Sequence, residues 1–271
     1  MMNEKRKVWL GVGSALASTL VTGQVVADSP THYSPSAAVV APGPMMEGEG
    51  GEGEGEGAVS INLAENDAQF LAQLGLIRGH LWVGMKLYQQ GHIEMAKTHM
   101  KHPGDELYAG LVSAFEARDL PGFADELQAL ADAVNNDNSA ETVNNAYQAL
   151  QHAISANEPI QQMSAEQVLK SISSMLVIAA DEYAIGITSG EVSNVHEYQD
   201  AFGFQQTTLA RLDAINKSEQ EKAAAEIAET RRIIEGLTSL WPTTTPAGTV
   251  EGDASRIYGA ASRIELEANS L

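Results

Sequence analysis

The stretch "AQFLAQLGLIRGHLWVGMKLYQQG", residues 68–91, repeats apolar side chains at Phe70, Leu74, Ile77, Leu81 and Met85. Steps of three and four residues follow the 3.6-residue turn of an α-helix, and no two-residue alternation is sustained across the run. The spacing predicts a helix over 65–89, closed by Gly91 as a turn residue. The same period recurs and predicts helices over 92–101, 105–117, 122–135, 140–155, 165–187, 193–216, 219–240 and 253–268. Ser139 and Ser164 stand before Glu-bearing starts as N-caps, Gly190 makes a second turn, and Pro121 and Pro242 act as breakers. No strand alternation or βαβ spacing competes with this pattern. The class is therefore all-α, an antiparallel helical bundle of eight or nine helices in one domain over 58–271.

The residues ahead of that domain have a different composition. Residues 1–27 carry a basic start (Lys5, Arg6, Lys7), a short apolar middle and the small-residue exit Val25-Val26-Ala27, the parts of a secretory signal peptide. Residues 28–57 are rich in Pro, Ser, Ala and Gly and end in "EGEGGEGEGEG", an acidic run that buries no apolar surface and is expected to be a disordered linker. The chain has no cysteine, so neither a disulfide framework nor a thiol-linked lipid anchor is available to it. A periplasmic or secreted location is expected.

The formal charge is −20 over 271 residues, and about −22 once the signal is removed with its three basic residues and one acid. Such a surface lacks the clustered Lys and Arg that phosphate contacts need, which argues against nucleic acid or an anionic membrane as partner. Beyond the signal no apolar run reaches spanning length, so no stable membrane insertion is expected after cleavage.

Three of the seven histidines lie in "GHIEMAKTHMKHPGDE", residues 91–106. On a helix, His92, Met95, His99 and His102 fall within about 80° of one another, opposite Glu94, Lys97 and Lys101. His92 and His99 are about 10.5 Å apart along the axis and cannot share one ion unaided. His99 and His102, at i and i+3, can. Pro103 disfavours helical geometry at His102, which places that imidazole at a frayed helix end beside the C-terminal dipole. His80 and His102 are each eleven residues from Gly91. Folding the hairpin about Gly91 thus brings His80 opposite His102 or His99, with Met85 and Met95 nearby.

A second hairpin is predicted about Ser189-Gly190, with Glu182 and Glu197 at one height in repeated Glu-Tyr pairs. "GHLWVG" and "DEYAIG" align without gaps, placing His80 on Glu182 and Gly84 on Gly186, a sign of a duplicated hairpin. Carboxylates and imidazoles projecting from facing helices are how bundles hold first-row transition metals. The candidate ligands are His80, His99, Glu182 and Glu197, followed by His102 and His196. Oxygen and nitrogen donors favour iron and admit zinc or manganese, whereas Met beside His admits copper. "HEYQD", 196–200, offers a further arrangement with His196 and Asp200 at i and i+4 and Glu197 as base, although the second ligand departs from H-E-x-x-H. No G-x-S-x-G, P-loop or nucleophilic cysteine is present.

The segments "GHLWVGMKLYQQG", "AKTHMKHPGDELY" and "EYQDAFGF" resemble the exported helical domains that accompany bacterial high-affinity iron permeases, over 76–117 and 179–216. The G-x-H-x-x-E signature of imelysin-type iron-uptake proteins is absent, since Leu81, Trp82 and Val83 follow His80. The resemblance implies a periplasmic metal-binding protein for iron uptake or delivery, with an inner-membrane permease or another envelope protein as partner. Two other functions fit the residues: a metal-free structural or interaction module of the envelope, and a metal-dependent hydrolase centred on His196, Glu197 and Asp200.

Overall fold

The computed structural model describes residues 62–271. The signal segment, the Glu/Gly linker and the first residues of the predicted domain lie outside the described residues. Within them the chain forms α1 (Asp67–Gln89), α2 (Ile93–His102), α3 (Tyr108–Ala117), α4 (Ala124–Asn135), α5 (Ala140–Asn157) and α6 (Ala165–Gly186). A two-residue ribbon, β1 (Ile187–Thr188) and β2 (Glu191–Val192), leads into α7 (Val195–Asp213), α8 (Lys217–Lys222), α9 (Ala224–Glu235) and α10 (Ser255–Asn269). The described residues form a helical bundle with almost no strand. No described helix is long and apolar enough to cross a membrane.

The start signals act as expected. Ser139 accepts from the Thr142 N–H, and Ser164 closes a capping box with Gln167, satisfying donors that the first turn leaves open. Asn66, Asn194 and Asn216 cap α1, α7 and α8 in the same way. The predicted turns also fall in place, with Gly91 at φ 84° and Gly190 at φ 82°. Because Ser189 is also at positive φ (54°), the second turn has the twist that pairs its flanks, which accounts for the ribbon.

Two helix boundaries differ from expectation. Pro103 does not end the helix at His102, which keeps helical angles (φ −46°, ψ −50°). Proline has no N–H to give to the His99 carbonyl, and the chain answers by widening into a π-turn over Pro103–Leu107 that runs on into α3. His102 is therefore a wedged helical residue rather than a frayed end. The predicted helix 219–240 breaks at Ala223 (φ −113°, ψ 32°), whose side chain is buried, and stops at Glu235. No Gly or Pro marks Ala223, so packing overrides a favourable local sequence there.

The core has two main parts, and α1 supplies both. Leu71 and Leu76 join α6, α7, α9 and α10 around Tyr183, Tyr198 and Trp241, while Phe70, Leu74, Ile77 and Leu81 join α3, α4 and α5 around Phe115 and Phe123. A helix buried on opposite sides needs apolar residues nearly all round, as the opening stretch has. Where α1 crosses α7 the backbones touch: a Cβ on Gly203 would lie 2.3 Å from the Gly79 carbonyl oxygen. Eight residues after Gly203 on α7, buried Arg211 meets Glu158 at 3.2 Å, and Glu158 also binds Arg78, next to Gly79 on α1. Burial pulls the Arg211 guanidinium down to about 10, with the Glu158 charge opposing, so it stays charged at neutral pH.

Candidate metal centre

The Gly91 turn folds α2 back along α1, and the expected meeting of histidines occurs. The His80 ring stacks on His102 with centroids 5.1 Å apart and lies 6.4 Å from His99. Gly84 makes this possible, because a Cβ there would press on Met100 and on His99 Cβ. Gly186, aligned with Gly84 in the sequence, gives α7 the same close approach to α6, where a Cβ would meet the Tyr198 backbone.

From α7, Asp200 enters between the two imidazoles. Its Oδ1 is 2.6 Å from His80 Nδ1 and 2.9 Å from His99 Nδ1. His80, His99 and Asp200 are 5%, 1% and 3% exposed, so the cluster is closed to bulk water. One ligand atom from each lies within 4.8 Å of the others, the one group of three or more such residues among the described residues.

The protonation of His99 follows from its surroundings. Gln199 Nε2 donates to the Thr244 carbonyl (3.0 Å), which can only accept, so Gln199 Oε1 is the atom 2.8 Å from His99 Nε2. His99 Nε2 therefore carries a proton, and Nδ1, facing a carboxylate, carries another. Burial alone would lower the His99 pKa, but the Asp200 charge and the hydrogen bonds to Asp200 and Gln199 outweigh it and raise it. Burial alone would raise Asp200, yet His80 and His99 hold its carboxyl well below the usual carboxylate range. Without metal the centre is thus a buried imidazolium–carboxylate pair. His80 is different: its Nδ1 is close to Asp200 but has no hydrogen bond of acceptable geometry.

That nitrogen, 2.6 Å from the carboxylate but poorly aligned for a hydrogen bond, is placed to serve as a ligand. Ligands about 2.1 Å from a tetrahedral metal lie about 3.4 Å apart, so the 2.6 and 2.9 Å contacts open by about 0.5–0.8 Å to admit one. The second nitrogen of His99 is already tied to Gln199 and through it to Thr244, the outer support that fixes a ligating imidazole. Two imidazoles and one carboxylate are a donor set for Fe(II) or Zn(II). Met95 lies close, as expected, but its sulfur is 3.5 Å from the Gln199 amide nitrogen, outside the three ligands.

The remaining predicted residues spread outward from this centre. His196, at the start of α7, packs its ring 5.4 Å from His99, and its Nδ1 is buried without a hydrogen-bond partner. Burial and the neighbouring His99 charge lower its pKa. Glu197 accepts from Asn194 (3.2 Å), and its charge reaches both His99 and His196. His102, lowered by burial and by His80, contacts Glu106 at 2.6 Å. Glu182, on α6, is not among the three converging ligands. About the second turn it is the tyrosines of the Glu-Tyr pairs that meet, Tyr183 and Tyr198, with centroids 6.0 Å apart. Asp200, read from the sequence as the i+4 partner of His196, is instead shared by His80 and His99.

Residues 158–271 match the family of the iron permease-associated 4-helix bundle domain. This is about 40% of the chain and runs from the end of α5 through α10. The match supports a role linked to iron uptake. It includes Asp200, Gln199, His196 and Glu197 but not His80, His99 or His102, which come from the α1–α2 hairpin. No curated protein and no solved structure matches the chain.

Proposed function

We propose that this protein binds a transition metal, iron foremost, at His80, His99 and Asp200, and that it hands iron on in the periplasm beside an inner-membrane permease. The observation that carries the reading is the convergence of two buried imidazoles on one buried carboxylate, with His80 Nδ1 left without a hydrogen bond. The family match of the segment that supplies Asp200 favours iron over zinc or copper, and a permease as the partner. The signal-like first 27 residues favour the periplasm.

The test is metal content. The full chain, equilibrated anaerobically with Fe²⁺ and desalted, is expected to retain about one iron per centre, the count such a three-ligand set implies. The double variant His80→Ala/His99→Ala is expected to retain none. Absence of stoichiometric metal in the wild type would leave a structural bundle whose histidines serve only as an ion pair. Retention in the double variant, with loss in His196→Ala, would move the centre to the start of α7.

Gln199 gives a finer test. Gln199→Ala removes the acceptor of the His99 Nε2 proton without touching a ligand. Loss of such an outer partner is expected to weaken Fe²⁺ affinity by about 10–100-fold. Unchanged affinity in a titration would show that His99 needs no such support.

A further inference from the structure

The three converging ligands are almost wholly buried, so a metal ion needs a way to shed water before reaching them. The imidazoles form one row: His102 against His80, then His99, then His196. The last ring of that row, His196, is half-buried at the start of α7, and its Nδ1 has no hydrogen-bond partner. Beyond His99, the Gln199 side chain is tied to the Thr244 carbonyl, and the Thr244 hydroxyl in turn donates to Gln90. The outer nitrogen of His99 is thus held by a fixed amide. Beyond His80, the His102 side chain is one-fifth exposed and its Nε2 is 2.6 Å from the Glu106 carboxylate, which is itself 41% exposed.

The π-turn gives this end its shape. A π-turn has more than four residues per turn, so His102 and Glu106, four apart, stand nearly above one another at its edge. His102 keeps helical geometry despite Pro103, with its ring on His80. A half-exposed carboxylate, a half-buried imidazole and a buried imidazole thus follow in order from solvent to the centre.

We propose that His102 and Glu106 form the port through which a divalent cation is taken from water and passed to His80, the proposal resting on the central site argued above. Glu106 attracts the hydrated ion, and its carboxylate replaces the first waters. The His102 nitrogen takes the next coordination position, and the ion then moves about one ring-stacking distance, 5.1 Å, to His80. A cation leaving the centre follows the same steps in reverse, so the port sets rates and not the equilibrium.

The experiment separates these. Full-length protein is mixed with Co²⁺ in a stopped-flow instrument, and bound cobalt is followed by its visible absorption, alongside equilibrium dialysis with the same ion. In His102→Gln and in Glu106→Gln, association and dissociation are both expected to slow about tenfold or more, a size typical of losing local electrostatic capture, with Kd and stoichiometry unchanged. Asp105→Asn, in the same turn but paired with Lys101, is expected to bind at the wild-type rate. Unchanged rates in the two port variants would overturn the port while leaving the centre intact. Equal slowing by Asp105→Asn would reduce the effect to diffuse charge and overturn it too. Loss of stoichiometric cobalt in a folded His102→Gln protein would make His102 a ligand of the centre rather than a port. Failure of the wild type to bind cobalt at all would remove the central site itself.

Discussion

Asp200→Ala is expected to destabilise the metal-free protein by about 3–5 kcal/mol at pH 5.5 and to abolish metal binding. The carboxylate is buried between two imidazoles, one of which carries a full positive charge through its contacts with Asp200 and Gln199. Removing it strands that charge in the interior. The pH dependence follows from the two shifts. Asp200 is depressed in the folded state, so its contribution is present above its unfolded pKa near 3.9 and disappears as pH falls through the folded value. His99 is raised, so its contribution is complete below its unfolded pKa near 6.5 and is lost as pH rises through the folded value. The pair is therefore strongest between about pH 4 and 6.5. As pH rises through the folded His99 value the imidazolium is lost, and the penalty in Asp200→Ala should shrink. Urea melts of wild type and variant at pH 5.5 and 8 measure both effects. Asp200→Asn, which keeps an acceptor but not the charge, should fall between them in stability and still fail to retain Fe²⁺. Equal melts for wild type and Asp200→Ala at pH 5.5 would mean that the buried pair carries no charge.

Metal binding should run the other way with pH. An ion at His99 Nδ1 displaces the proton that the metal-free pair holds there, while Nε2 keeps its proton for Gln199. Affinity for Fe²⁺ is thus expected to rise over the same range in which the metal-free protein loses stability.

Local geometry explains which parts of this arrangement the sequence revealed. Counting outward from Gly91 found His80 opposite His102, because a tight helical hairpin leaves its register little freedom. Ser139 and Ser164 were legible as caps since an N-cap needs only its own turn. The partner of His99 was not legible in this way. Asp200 lies 101 positions further on, and only the crossing of α1 and α7 brings it across. Its one local trace was the i+4 spacing from His196, which pointed to the wrong imidazole. Glu182 and Glu197 were matched in height about Gly190, but height does not decide which neighbour faces inward. The larger apolar surface of Tyr183 and Tyr198 takes the interface. Pro103 carried a real signal that was misread, because a missing donor can be absorbed by widening a helix as well as by ending it. Nothing local announced Gln199 or Thr244, whose roles exist only once the loop after Trp241 folds over α7.

The crossing that brings Asp200 to His80 yields the second large effect, through a residue that touches neither. Gly79 precedes His80, and Gly203 lies one turn after Asp200 on α7, so their contact sets the spacing of the two side chains. A methyl group on Gly203 would stand 2.3 Å from the Gly79 oxygen and 2.8 Å from its carbonyl carbon. Both are backbone atoms, which no rotamer change can move aside. Gly203→Ala must therefore part the helices by about 1 Å, an overpacking strain expected to lower stability by about 1–3 kcal/mol. The same displacement changes the 2.6 Å His80–Asp200 contact, so the three donors lose the spacing that the crossing sets. Fe²⁺ affinity should fall at least as far as for loss of an outer support, about 10–100-fold. Gly259→Ala provides the opposite sign. It lies on the exposed side of α10 with nothing within 4 Å of the added carbon, so the same chemical change should stabilise the protein by about 0.5–1 kcal/mol without altering metal affinity. Thermal melts and Fe²⁺ titrations of the two variants test this directly. If Gly203→Ala melts and binds like the wild type, the helix crossing is not what holds His80 against Asp200.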